Sequence, residues 1–157
     1  YTMPDTLSLH DALPIWENEE TMRSVINELA SMADVVLPGI EECKILLGTT
    51  DMEEAAQMYQ KAGAKIVIIK DGSKGAFVKE NENTYTVPGF HVDKVVDTVG
   101  AGDGFAVGVI SGILEGRTIK ESVRRGNAIG AIQVMNISDN EGLPTKEELD
   151  KFIETNK

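Results

Sequence analysis

Asp97-Thr98-Val99-Gly100-Ala101-Gly102-Asp103-Gly104-Phe105 is the stretch on which the reading of this chain turns. It lies between an apolar pair, Val95-Val96, and an apolar run from Phe105 to Leu114 with the character of a helix. A helix start leaves several backbone N–H groups without intrahelical partners, and its dipole favours negative charge. Gly100, Ala101 and Gly102 carry little or no side chain, so the backbone can approach an anion closely. Such a turn suits a phosphate. Phosphoryl transfer mainly requires positioning and electrostatic stabilisation of the phosphate oxygens. Asp103 sits where the turn enters the helix, and a carboxylate there can accept a proton from an attacking alcohol. It is a weak base, so deprotonation is expected late and in concert with phosphoryl transfer. The plainer alternative is that Asp103 caps the helix and the glycines only make the turn, since short glycine motifs recur by chance.

Upstream, Ile66-Val67-Ile68-Ile69 reads as a buried strand followed by Lys70-Asp71-Gly72-Ser73-Lys74-Gly75-Ala76. Two glycines directly after a strand suit a loop beside a nucleotide, or an ordinary turn into a hairpin. That hairpin is expected from Ala76-Phe77-Val78 and Thr84-Tyr85-Thr86-Val87 around Asn81-Glu82-Asn83. Earlier still, Met22, Val25, Ile26, Leu29, Met32 and Ala33 recur at helical spacing. Val35-Val36-Leu37 is a short apolar strand closed by Pro38-Gly39. Glu41 to Leu47 is a short helix ended by Gly48, and Asp51 caps a helix from Met52 to Ala62 that Gly63 stops. Downstream, Gly116 ends the helix after Asp103, and a second apolar helix covers Ile119 to Val134, with Asn127 on it. Residues 136–144 read as a loop, and Thr145 with Glu148 forms a capping box for a last helix.

This alternation predicts an α/β fold, a mostly parallel sheet with helices on both faces. Ligands in such sheets bind beyond the carboxyl ends of the strands. Glu41-Glu42, the Gly72 loop and Asp103 all follow apolar runs read as extended. Each also has a bland reading, as a solvated helix start or a turn, and Asn127 alone is a polar residue on a helix.

The bulk numbers set bounds. The chain has 157 residues, room for one domain with a core but short for a two-lobed enzyme. A formal net charge of -11 and the lack of any basic stripe disfavour nucleic acid as a partner. No apolar run approaches a membrane span, so no membrane partner is expected. One cysteine, Cys43, excludes an internal disulfide and fits a reducing cytoplasm. It reads as a small buried apolar residue, not a nucleophile. Residues 1–15 show no sustained period and read as a non-native or disordered segment, leaving 16–157 as the folded part.

The segment Asp97 to Phe105, followed by the small-residue helix Ala106-Val107-Gly108-Val109-Ile110-Ser111-Gly112, resembles the second signature of the ribokinase-like (PfkB) carbohydrate kinases. The order of the other elements from Trp16 to about Phe152 resembles that family as well. The resemblance implies ATP-dependent phosphorylation of a sugar or sugar-acid hydroxyl, with ATP and Mg2+ required. Asp103 matches the family's catalytic base, and the amides of Gly100, Ala101, Gly102 and Asp103 match its anion hole. Lys70, Gly72 and Gly75 fall where the family contacts ATP, and Asn127 falls at its adenine pocket. Asp97 and the carbonyl of Val99 match a site for a monovalent cation such as K+ in some members. Glu42 matches the acidic end of an Asn-x-x-Glu motif that organises magnesium and phosphate, but Gly39 stands where that Asn would be. Lys70 likewise replaces a small hydroxyl residue common at its position.

Complete members of the family are about twice this long, and their N-terminal half supplies the sugar-binding residues. The chain is therefore expected to be the C-terminal, ATP-binding part, truncated at its N-terminus; homo-oligomerisation of the full-length protein is compatible with it. Within the family, Leu37 to Gly48 looks most like the 2-keto-3-deoxygluconate kinases. A ribokinase or fructokinase, and a nucleotide-binding module without catalysis, are the competing readings.

Overall fold

The computed structural model describes residues 16–137 and 142–156. The expectation for residues 1–15, and part of that for the 136–144 loop, lies outside them. The described residues belong to two compact units. The first runs to Asp71 and takes in Phe77–Thr86; the second comprises Gly72–Ala76 and everything from Val87 onward.

In the first unit, α1 spans Glu19–Met32, and the Asn18 side chain accepts from the Thr21 amide at its start. The strand β1, Val35–Val36, pairs in parallel with β2, Ile66–Lys70, through Val35 opposite Ile66 and Val36 opposite Val67. Between them lie α2, Ile40–Leu47, and α3, Met52–Ala62. The expected signals act as read. Gly48 closes α2 at φ 81°, and the Asp51 carboxylate accepts from the Glu54 amide at 2.9 Å. Val67, Ile68 and Ile69 are fully buried. Val67 and Ile69 pack with Cys43, Ala55, Ala56, Tyr59 and Ala64 into one apolar cluster. The sheet order is β1-β2-β3-β4, with β3 spanning Gly75–Glu80 and β4 spanning Asn83–Pro88. Asn81, at φ 53°, makes the tight turn of that hairpin. Lys79 on β3 is nearly buried, and its ammonium donates to the Glu53 carboxylate at 2.8 Å. That pairing holds the Glu53 carboxyl below its ordinary pKa.

The second unit is built on two helices, α4 (Ala101–Leu114) and α5 (Ile119–Gln133). They meet through residues with almost no side chain. A Cβ added at Gly108 would stand 2.6 Å from the Cα of Gly126, and one at Gly112 would stand 2.6 Å from the Ser122 hydroxyl oxygen. The glycine spacing that reads as a plain small-residue helix is thus a contact surface that brings two backbones together. Thr118 and Glu121 form a capping box at the start of α5. The last helix, α6 (Lys146–Thr155), carries the expected Thr145–Glu148 box. Leu149 joins Phe90, Ala128, Ile129 and Ala131 in a core, with the Phe90 and Phe152 rings 5.3 Å apart. The Arg124 guanidinium lies 5.0 Å over the Phe90 ring.

Two sequence expectations change. Val95-Val96 is irregular and half exposed, not a strand, because its backbone is held by the end of α5: the Val96 amide donates to the Val134 carbonyl at 2.7 Å. Asp103 therefore does not follow a strand. The helix also begins at Ala101 and not at Phe105, because Gly100 adopts a left-handed φ of 76° and turns the chain straight into it.

Replacement of Gly108 by Ala should destabilise the chain by about 1–3 kcal/mol, since the new methyl meets backbone that cannot rotate away. A lower urea midpoint at unchanged slope would register it. A second expectation concerns alkaline pH. Burial pushes the Cys43 thiol from 9.0 up to about 12, with the Glu42 charge adding to the effect. Burial likewise pushes the Tyr85 phenol from 10.0 up to about 12. A raised pKa means the neutral form is favoured by folding, so this stability is complete below the ordinary values and is lost as pH rises toward 12. Thermal midpoints should hold up to about pH 9 and fall progressively above it.

Candidate active site

The start of α4 is organised by its own turn. The Asp97 carboxylate accepts from the Val99 amide at 3.0 Å. The Ala101 amide donates to the Thr98 carbonyl at 3.3 Å, and the Gly104 amide to the Gly100 carbonyl at 2.8 Å. The amides of Gly102 and Asp103 lie in the first helical turn, where no preceding helical carbonyl exists to take them. No backbone carbonyl of the preceding turn takes them. Both residues are exposed, and Asp103 is the acidic residue of that turn. Two open N–H groups and a carboxylate on one exposed turn can receive an anion and, beside it, a hydroxyl proton. Of the four amides expected as an anion hole, Ala101 is turned back into the loop.

Gly72, Gly75 and Asn127 come together elsewhere in the same unit. Gly72–Lys74 form a single 3-10 turn, and Gly75 follows, buried, at φ 103°. The chain leaving β4 crosses under this turn. A Cβ at Gly75 would stand 2.1 Å from the Val87 carbonyl oxygen, and one at Gly89 would stand 2.4 Å from the Ser73 carbonyl oxygen. The Gly89 amide donates to the Lys74 carbonyl at 3.2 Å. Asn127 is buried, and its Nδ2 donates to the carbonyls of Val87 at 3.0 Å and Pro88 at 3.1 Å. It is not a solvated helix residue, and both amide hydrogens are committed to backbone. Sequence reasoning missed Val87, Pro88 and Gly89. The Pro88-Gly89 dipeptide just past a strand was the available signal.

Glu42 and Lys70 belong to the first unit. Pro38 and Gly39 extend the β1–β2 pairing: the Lys70 amide donates to the Pro38 carbonyl at 2.8 Å, and Gly39 bridges Lys70 in parallel. Both residues thus sit at the carboxyl ends of the paired strands. The Glu42 carboxylate folds back to accept from the Gly39 amide, half of a capping box. Lys70 is close enough that its charge acts on Cys43.

Among the described residues no three His, Cys, Asp or Glu side chains gather as a metal cage. The donors present fit Mg2+ only as an ion carried on phosphate oxygens and touched by one or two carboxylates, the usual habit of that ion. At the α4 turn, the Asp97 carboxylate expected to hold a monovalent cation is bound to the Val99 amide. Cys43 is fully buried, as its apolar reading required.

The family model for pfkB family carbohydrate kinase matches residues 8–146. The 2-dehydro-3-deoxygluconokinase of Bacillus subtilis (strain 168) is 51% identical over 139 residues, 88% of this chain and 43% of that protein. A PfkB protein from Polaromonas sp. JS666 superposes with a TM-score of 0.75 at 46% identity, over 86% of this chain and 42% of that one. A fructokinase from Vibrio cholerae O395, solved with fructose, ADP and calcium ion, gives a TM-score of 0.83 at 28% identity, over 90% of this chain and 47% of that one. The chain spans less than half the length of each of these relatives. The family match over residues 8–146 and the 51% identity over 88% of the chain agree, and this chain belongs to the pfkB family of carbohydrate kinases.

Proposed function

We propose that residues 16–157 are the ATP-binding and catalytic part of a sugar kinase that phosphorylates a sugar-acid hydroxyl, with 2-keto-3-deoxygluconate as the preferred acceptor. The observation that carries the reading is the α4 start, where two open amides and the Asp103 carboxylate share one exposed turn. Asp103 takes the hydroxyl proton as the alcohol oxygen bonds to the γ-phosphorus of ATP and the bond to the ADP oxygen breaks. The amides of Gly102 and Asp103, with Gly100 shaping the turn, hold the phosphoryl oxygens. The Gly72–Gly75 loop takes the nucleotide-contacting role that the family resemblance implies, and Lys70 offers a cation for phosphate. Glu42 and Asp97 are the carboxylates nearest in role to metal, and Mg2+ bound with ATP supplies charge neutralisation at the phosphates. Such a reaction suits the cytoplasm, and no described helix is long and apolar enough to cross a membrane.

The substrate class rests on the 51% identity to the Bacillus subtilis enzyme, set against 33% for a ribokinase of Haemophilus influenzae. The Vibrio cholerae fructokinase, at 28%, is again more distant. The sugar would be held by parts of a complete kinase beyond this chain, so the chain alone should bind MgATP and consume almost none in the presence of sugar. In a complete kinase containing this chain, Asp103→Asn should lower kcat by about 10²–10⁴-fold with MgATP affinity unchanged. Steady-state kinetics with 2-keto-3-deoxygluconate, fructose and ribose checks both claims at once. Unchanged turnover would remove Asp103 as the base, and a preference for ribose or fructose would replace the acceptor.

A further inference from the structure

Asn127 is the polar side chain that most needs an account. It is 8% exposed, near the middle of α5, between the buried Gly126 and Ala128. A buried amide of this kind requires partners, and it has found backbone ones: Nδ2 donates to the Val87 and Pro88 carbonyls, forty and thirty-nine residues away in sequence. Those two carbonyls belong to the segment that runs under the Gly72–Gly75 turn. The contact there is too close for any side chain. A Cβ on Gly75 would meet Val87 O, Gly89 N and Pro88 C within 2.7 Å, and a Cβ on Gly89 would meet Ser73 O at 2.4 Å. The Gly89 amide closes the crossing by donating to the Lys74 carbonyl. The turn therefore rests on residues 87–89, and residues 87–88 hang from Asn127.

We infer that Asn127 is a positioning residue: by holding the Val87 and Pro88 carbonyls it sets the shape of the Gly72–Gly75 loop, and it acts on bound nucleotide through that loop without touching it. The inference rests on the reading of that loop as part of the nucleotide site. Both amide hydrogens are committed to these carbonyls, at 3.0 and 3.1 Å, so the donor end of the side chain serves the 87–88 backbone. Release of the two carbonyls frees the strand end that the loop leans on. The loop then samples shapes in which its backbone no longer meets the ligand, and affinity falls by the fraction of time spent in them.

The test uses the chain itself, with MgADP as the probe. Calorimetric Kd is measured for the wild type, Asn127→Ala and Asn127→His, and for Val123→Ala as a core variant of the same helix. Amide hydrogen exchange is followed at Gly89, the donor that closes the crossing. The expected result is that Asn127→Ala raises Kd at least tenfold and speeds Gly89 exchange by a similar factor. Asn127→His keeps one ring N–H donor and should fall between, which covers the case in which the Ala variant fails to fold. Val123→Ala should lower the melting temperature without moving either quantity. A weakened Kd with Gly89 exchange unchanged would mean direct contact and overturn the inference, as would an unchanged Kd. If the wild-type chain binds no MgADP, the reading of the loop as a nucleotide site fails first and takes the inference with it; that result is seen before any variant is made.

Discussion

The close approach of α4 to α5 is the constraint from which the second unit follows. Two helices carrying ordinary side chains pack with axes about 8–10 Å apart. Gly108, Gly112 and Gly126 remove the side chains that would enforce that spacing, so backbone meets backbone. The consequence for the site is positional. Asp103 and the open amides of Gly102 and Asp103 lie on the first turn of the helix that this contact holds. Their placement is inherited from packing one to three turns away, in residues that never meet a ligand. This is how a site on a helix start can be rigid although the turn itself is exposed.

Polar contacts in the chain divide by whether they are local. The capping boxes at Thr118 and Thr145, and the Asp51 cap, join residues three apart. The Thr118 box, equally local, went unread; the Thr145 box and the Asp51 cap were legible in the sequence because their chemistry is complete within one turn of helix. The same holds for the stops at Gly48 and Gly63, and for the α2 and α3 boundaries. The Asp97-to-Phe105 turn was legible for a related reason: its glycines and carboxylate are contiguous. What stayed hidden joins distant residues. Nothing near Asn127 in sequence points to Val87 and Pro88, and nothing near Glu53 points to Lys79, twenty-six residues on. The failure at Val95-Val96 has the same origin. Two β-branched residues favour extended backbone, but the Val134 carbonyl at the end of α5 takes the Val96 amide, and no neighbouring strand does.

The departures of this chain from its family's pattern also have a local physical setting. Gly39 stands at the start of α2 without a side chain, so the Glu42 carboxylate reaches back to the Gly39 amide with nothing reciprocating from the cap. A carboxylate there also complements the positive end of the helix. Glu42 thus has a structural use that is independent of any metal, and the two uses draw on the same oxygens. Lys70 is placed by its backbone, which continues the parallel pairing one step past β1 through Gly39 and Pro38.

The hairpin of β3 and β4 has a consequence for how the two units are joined. The chain passes from one unit to the other at Asp71 to Gly72, again at Ala76 to Phe77, and again at Thr86 to Val87. Neither unit is a continuous stretch of sequence. A single cut at any of these passages leaves at least one of the units, and at Ala76 to Phe77 both, assembled from two separate pieces of chain, held by hydrogen bonds and packing alone. The units are interleaved by connectivity, so neither can be exchanged or deleted as a single continuous module.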